Sequence, residues 1–236
     1  MRQVLIFVAM VWILTLETAS INCSVSLFNK DTLIAYREDR SEAYTHGEKL
    51  HLFIDEVLEE AGITPNNLKA IAVSKGPGSY TGLRIGVSAA KGLCFALGIP
   101  LISISTLLIM TRALPNVQGI RIPMLDARRM EVYSAVFDAH YNALREIRAE
   151  ILTENSFQDF VQFPEVHLIG SGAAKCKDLL TNPVFSFHPE ILPSSIDMGA
   201  LAYKDYCEAR FEDVAYFEPY YLKDFIATTK KASSSQ

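Results

Sequence analysis

Short apolar runs open the chain, and a helical period replaces them from about residue 45. Residues 11–16, 23–28 and 32–37 are rich in aliphatic or β-branched side chains and are separated by Asn22 and by Asn29-Lys30-Asp31, which predicts a three-stranded meander. Thr45-His46-Gly47-Glu48 then reads as a capping box, with the Thr45 oxygen accepting from the Glu48 amide and the Glu48 side chain returning to the Thr45 N–H. Behind it Leu50, Phe53, Ile54, Val57, Leu58 and Ala61 fall on one broad stripe, and Gly62 stands where a C′ glycine ends a helix. Residues 70–74 predict a buried strand that runs into Gly76-Pro77-Gly78-Ser79-Tyr80-Thr81-Gly82-Leu83-Arg84, where a strand end, a glycine turn and a helix start are compressed. The following helix, ending near Leu97, carries Leu83, Val87, Ala90, Cys94 and Leu97 on one face. Its neighbouring face is small and apolar: Gly82, Gly86, Ala89, Leu93 and Ala96. Such a face admits close helix approach, either by the helix over 45–61 of the same chain or by a foreign chain.

A strand over 100–104 and a helix over 105–114 precede Pro115-Asn116-Val117-Gln118-Gly119, the best linker in the chain. The pattern then restarts, with strands over 120–125, 131–137 and 144–151, a short helix over 155–162, a strand over 166–169 and a helix over 173–180. Three strands, helix, strand, helix is given twice, which predicts an α/β fold of two lobes with similar βββαβα topology, 10–114 and 115–226. A last helix over 198–211 and an aromatic tail, packed down as far as Phe225, are expected to close the second lobe. Residues 227–236 have no apolar anchor and are expected to be disordered.

The 50% hydrophobic content of the 236 residues is that of a globular chain, and the formal net charge of −5 gives no overall field that draws nucleic acid. Any RNA contact therefore needs a local basic patch or a partner. The four cysteines include no Cys-x-x-Cys pair and read as free thiols of a reducing cytoplasm, while the five histidines include no His-x-x-x-His pair. Arg2 followed by an apolar run over 4–14 resembles a short secretory signal, too short to span a bilayer. The preferred reading is that residues 11–16 are the first buried strand, with Met10 as the initiator and 1–9 as an upstream or unstructured extension. Cleavage near Ser20 would delete a strand that the next two segments need for pairing.

Glu17 and Asp126 end equivalent strands of the two halves, and two facing carboxylates could hold magnesium or act as a base. A nucleotide-binding version of such a fold needs glycines after each carboxylate, but Thr18-Ala19-Ser20 and Ala127-Arg128-Arg129 stand there instead. ATP-dependent phosphotransfer by Glu17 and Asp126 is kept as the competing enzyme reading. Weaker anion or nucleotide contacts fall to Ser79 and Thr81 at a helix start, to Arg84, and to the glycine turn Gly170-Ser171-Gly172.

With these residues in view, the chain resembles the TsaB (YeaZ) family, accessory subunits in bacterial synthesis of threonylcarbamoyladenosine beside the tRNA anticodon. The resemblance rests on residues 76–86, on Ser105-Thr106-Leu107, on Asp126-Ala127-Arg128-Arg129-Met130-Glu131-Val132-Tyr133 and on Glu218-Pro219-Tyr220-Tyr221-Leu222. It implies the two-lobed fold of acetate and sugar kinases, heat-shock chaperone ATPases and actin (the ribonuclease H-like fold), in a member without catalysis. It also implies a TsaD-type catalytic relative that supplies the metal site, and a TsaE-type ATPase joining through it. No cofactor is required by this chain; ATP and a metal ion are expected in the partner subunits, and tRNA is reached only through the complex. The two first-lobe helices are the implied interface, with the TsaD-type partner or, in its absence, with a second copy. On that reading the contact residues are His46, Leu50, Phe53, Ile54, Val57, Gly82, Gly86, Ala89, Leu93 and Ala96. A cytoplasmic, non-membrane location is implied as well.

Overall fold

Two five-stranded sheets carry the fold, and the computed structural model describes residues 10–41 and 46–222. The first sheet contains β1 (Trp12–Glu17), β2 (Cys23–Asn29), β3 (Thr32–Asp39), β4 (Leu68–Gly76) and β5 (Leu101–Ser105), in the order β3-β2-β1-β4-β5. The second contains β6 (Ile120–Asp126), β7 (Glu131–Phe137), β8 (Ala143–Ile151), β9 (Val166–Ile169) and β10 (Phe185–His188). Its order, β8-β7-β6-β9-β10, repeats the first. In both sheets the first three strands are antiparallel and the last two join in parallel. The chain is therefore an α/β protein built on one strand plan used twice, as its sequence pattern predicts.

Alternation along β1 assigns its neighbours to opposite layers. Leu14 and Leu16 face α1 (His46–Glu60) and α2 (Tyr80–Leu97), where Leu50, Ile54, Val57, Val87, Ala90 and Cys94 close the core. Ile13 faces the other way, with Ala70, Ala72 and Ile102, onto Ile109 of α3 (Thr106–Arg112) and onto Met198 and Ala202 beside and within α4 (Gly199–Cys207). The opposite side of α3 serves the second sheet: Leu107 and Met110 pack with Leu125, Ala135, Phe137 and Ile169. One short helix thus fills the space between the sheets.

Three expectations are corrected. The helices predicted over 155–162 and 173–180 are 3-10 segments, Gln158–Phe160 and Ser171–Cys176, and they lie against Ile122, Met124 and Leu168 on the outer face of the second sheet. The connection from β9 to β10 is shorter than that from β4 to β5, and a 3-10 turn advances about 2.0 Å per residue against about 1.5 Å for an α-helix, so it spans the sheet with fewer residues. Strand β10 was not anticipated; it pairs in parallel with β9 and supplies the fifth strand. The segment after His188, expected within a lobe over 115–226, returns to the first sheet. There Thr15 Oγ1 donates to the Ser195 carbonyl at 3.0 Å, the Ser195 amide donates to Ser24 Oγ at 2.9 Å, and the Glu212 amide donates to the Leu101 carbonyl at 2.9 Å. Residues 1–9, the Thr45 capping box, Phe225 and residues 227–236 lie outside the described residues. No helix among the described residues is long and apolar enough to cross a membrane.

Arg121 of β6 pins the linker. Its side chain is buried, yet its Nε and both Nη groups donate to the carbonyls of Leu114, Val117 and Asp138 at 3.1–3.3 Å, and its guanidinium lies 4.6 Å from the Tyr141 ring centre. Replacing it with methionine keeps much of the volume but orphans these carbonyls. Arg121→Met is expected to cost about 3 kcal/mol. Urea unfolding measures it, and a loss below about 1 kcal/mol would mean that water satisfies the carbonyls.

Candidate functional site

The glycine turn and the small face of α2 are occupied from within. Ser79 caps α2, its side chain accepting from the Gly82 amide at 3.2 Å, while the Ser79 amide itself donates to the Ala19 carbonyl at 2.7 Å. The Thr18 hydroxyl donates to the Gly82 carbonyl at 2.8 Å. A Cβ on Gly78 would strike Ala19, and one on Gly82 or Gly86 would strike Thr18, so the β1–β2 connection lies directly on the glycine edge of the helix. The start of α1 holds the same loop, since His46 Nε2 is 2.7 Å from the Ser20 carbonyl. Gly82, Gly86 and His46, read as contacts for a partner, are thus buried against the chain's own loop.

Beneath this loop the Glu17 carboxyl is completely buried. Its Oε1 accepts from the Ala19 amide at 2.5 Å, whereas Oε2 and the nearby Ser74 hydroxyl both lack a geometric hydrogen-bond partner among the described residues. Burial dominates and raises its pKa to about 7; the Ala19 amide and the proximity of Ser74 only partly offset it. Such a carboxyl, sealed from solvent, is not open to substrate.

Asp126, its counterpart in the second half, is exposed and otherwise engaged. Its Oδ1 accepts from Lys175 Nζ at 2.6 Å and from the Arg128 amide at 2.6 Å. The expected pair of facing carboxylates is therefore one sealed group and one ion-paired group. The second glycine turn is filled as well: a Cβ on Gly170 would meet Met110 and the Met124 carbonyl, and one on Gly172 would meet Val132 and Met124. Thr81 is exposed, and Arg84 is exposed with its guanidinium 4.6 Å from the centre of the Tyr80 ring.

The expected partner face divides into three depths. Leu50, Ile54 and Val57 are core, in contact with Leu14 and Val25. Phe53, Ala89 and Leu93 are half-buried, and Ala96 is exposed. The side chains that project furthest were not singled out from the sequence: Leu52 of α1 is 54% exposed and Phe95 of α2 is 84% exposed. Their signal was present, as both are large apolar residues lying off the buried stripe. The tail adds further contacts missed in the sequence: Lys91 Nζ donates to the Phe217 carbonyl at 2.7 Å, the Tyr220 amide donates to the Lys75 carbonyl at 2.7 Å, and Tyr221 lies 4.9 Å from Tyr80 between ring centres.

A raised carboxyl pKa has a definite sign. Below about 4.5 Glu17 is protonated folded or unfolded; as pH rises through about 7 the folded state must ionise a buried group, and the stability linked to its proton is lost. Against Glu17→Gln, the natural chain should lose about 3 kcal/mol between pH 5 and pH 8. Urea melts of both proteins across that window test it; parallel profiles would show that Glu17 ionises without penalty.

Comparison with known proteins agrees with this architecture. Residues 40–228 match the family model described as TsaD: tRNA N6-adenosine threonylcarbamoyltransferase. The chain is 30% identical over 226 residues to the tRNA threonylcarbamoyladenosine biosynthesis protein TsaB of Escherichia coli (strain K12), covering 92% of this chain and 97% of that protein. A 59-residue stretch is 46% identical to the tRNA N6-adenosine threonylcarbamoyltransferase of Geobacillus thermodenitrificans, covering 25% of this chain and 17% of that protein. The structure of YeaZ from Pseudomonas aeruginosa superposes with a TM-score of 0.81 at 23% identity, covering 90% of this chain and all of that one. A strand plan used twice, a family-model match across both lobes and a relative alike from end to end converge, and the chain belongs to the TsaB (YeaZ) family.

Proposed function

We propose that the chain is a noncatalytic scaffold subunit in the synthesis of threonylcarbamoyladenosine in tRNA. It docks a TsaD-type catalytic subunit through the outward faces of α1 and α2, a TsaE-type ATPase joins the assembly, and a second copy of the chain takes the same surface when the partner is absent. The observation that carries the docking surface is the pair of exposed apolar side chains, Leu52 and Phe95, on neighbouring helices whose flanking Phe53, Ala89 and Leu93 are only half-buried. Exposed aromatics beside small residues suit an interface anchor in a partner's pocket.

The sealed Glu17, the Asp126–Lys175 pair and the two filled glycine turns support a noncatalytic role. ATP and the metal ion then belong to the partner subunits, tRNA reaches this chain through the complex, and the work is done in the cytoplasm.

Copurification with a coexpressed TsaD-type subunit tests the surface. Phe95→Asp and Leu52→Asp alter exposed positions, so their melting temperatures should match the natural chain, while association should weaken at least about tenfold for the better anchor. Gly86→Glu, which collides with Thr18, should instead lower stability. Undiminished association of both aspartate variants would move the interface away from these helices.

A further inference from the structure

The hairpin that joins β6 to β7 is unusual in three independent ways. Arg128 and Arg129 are consecutive non-glycine residues with φ of +70° and +49°, a left-handed backbone that Gly, Asn or Asp ordinarily supplies. Holding two arginines there costs stability, and such strain persists only where the surroundings enforce it. They do so here. The Arg128 amide is held by Asp126 at 2.6 Å, the Asp126 amide by Ser171 Oγ at 3.1 Å, the Glu131 carbonyl by Lys175 Nζ at 3.1 Å, and the Met130 carbonyl by the Leu152 amide at 2.7 Å.

The second feature is charge. Among the described residues neither guanidinium has an ion-pair, hydrogen-bond or ring partner; of the two acids nearest in sequence, Asp126 serves Lys175, and Glu131, itself engaged, lines the same cavity. Neighbouring arginines are engaged: Arg121 and Arg112 on Tyr141, Arg145 and Arg148 on Glu150. The third is shape. Arg128 and Arg129 border a surface cavity of about 590 Å³ whose other walls are Ala127, Met130, Glu131 and Ile151, and Met130 and Ile151 are 42% and 69% exposed. Two free forked cations beside an uncovered apolar shelf match a sugar-phosphate chain: the guanidiniums pair with phosphate oxygens, and the shelf takes a ribose or base. The corresponding connection of the first lobe, at Thr18 and Ala19, is buried against α2 and can offer nothing of the kind.

We infer that the Arg128–Arg129 hairpin is a contact site for the phosphodiester backbone of RNA, and that this chain lends the assembly a second-lobe foothold on its tRNA. The inference rests on the proposed role in tRNA modification. It supplies one of the two routes, a local basic patch or a partner, that a net charge of −5 leaves for RNA contact.

The decisive variant is the double change Arg128→Asn with Arg129→Gly, which removes both cations while giving the left-handed positions residues that favour them. In the reconstituted complex it should raise the melting temperature yet weaken binding of an unmodified tRNA transcript several-fold. The salt dependence of binding should fall by roughly 1.4 in log–log slope, from two phosphates at roughly 0.7 each. Arg128→Lys with Arg129→Lys should keep most of the slope. Unchanged tRNA affinity and slope in the Asn-Gly variant would overturn the inference, as would a loss traceable to weaker association between the subunits, which would make the hairpin a protein contact. Association and threonylcarbamoyladenosine formation by the natural chain, assayed in the same preparations, separate this failure from failure of the proposed function itself.

Discussion

The structure depends on a seven-residue helix that has no face to give to water. α3 offers Ile109 to the first sheet and Leu107 and Met110 to the second, all three fully buried, so the sheets are joined by a core element and not by a polar seam alone. A helix that buries apolar side chains on two opposite sides is stable only between two layers. That fixes where the second sheet can lie, and Met110, pressed onto Gly170, carries the same constraint to the turn after β9. The buried Arg121 holds the linker that leaves α3, so the chain's path between the sheets is set by one apolar wedge and one cation with three carbonyl acceptors.

The same economy governs the turns at the ends of the strands. Strand ends, glycine turns and helix starts are all present, and each is closed by side chains of the chain itself. Thr18 and Ala19 cover Gly78, Gly82 and Gly86; Met110 covers Gly170; Val132 and Met124 cover Gly172. Close backbone approach, which in a nucleotide site admits phosphate, here admits a neighbouring loop. Glu17 is left fully buried, the pKa of its carboxyl raised to about 7 by that burial. The exposed apolar and cationic side chains lie away from these turns or beyond them, Phe95 and Leu52 on one lobe and Arg128 and Arg129 on the other.

Much of this was legible in the sequence, for physical reasons that also mark where legibility ends. Strand runs such as Trp12–Glu17 and Ile120–Asp126 announce themselves because burial on both faces demands continuous apolar character. β10 does not: Phe185-Ser186-Phe187-His188 is four residues long, and only its pairing with β9 makes it a strand. The small face of α2 was visible, but its occupant was not, since Thr18 reaches Gly82 across a separation of 64 residues. Helical period over 173–180 was equally visible, yet the tighter 3-10 form follows from the length of the connection, a property of the sheet and not of local propensity. The glycines after Gly76 suggested anion capture because nothing local records that Ala19 accepts from the Ser79 amide.

The return of the chain to the first sheet bears on the order in which the molecule can be completed. Leu101 of β5 bonds to Glu212, Lys75 of β4 to Tyr220, and Phe28 of β2 lies against Gly199, so strands made early wait for residues made late. During synthesis the second sheet, whose antiparallel strands pair over separations as short as Asp126 with Val132 and Phe137 with Ala143, has its partners at hand, while the first lobe keeps one flank bare until α4 and the tail emerge. The lobe that comes first in the sequence is therefore the last to be sealed, and its apolar flank is the surface a chaperone would meet on the nascent chain.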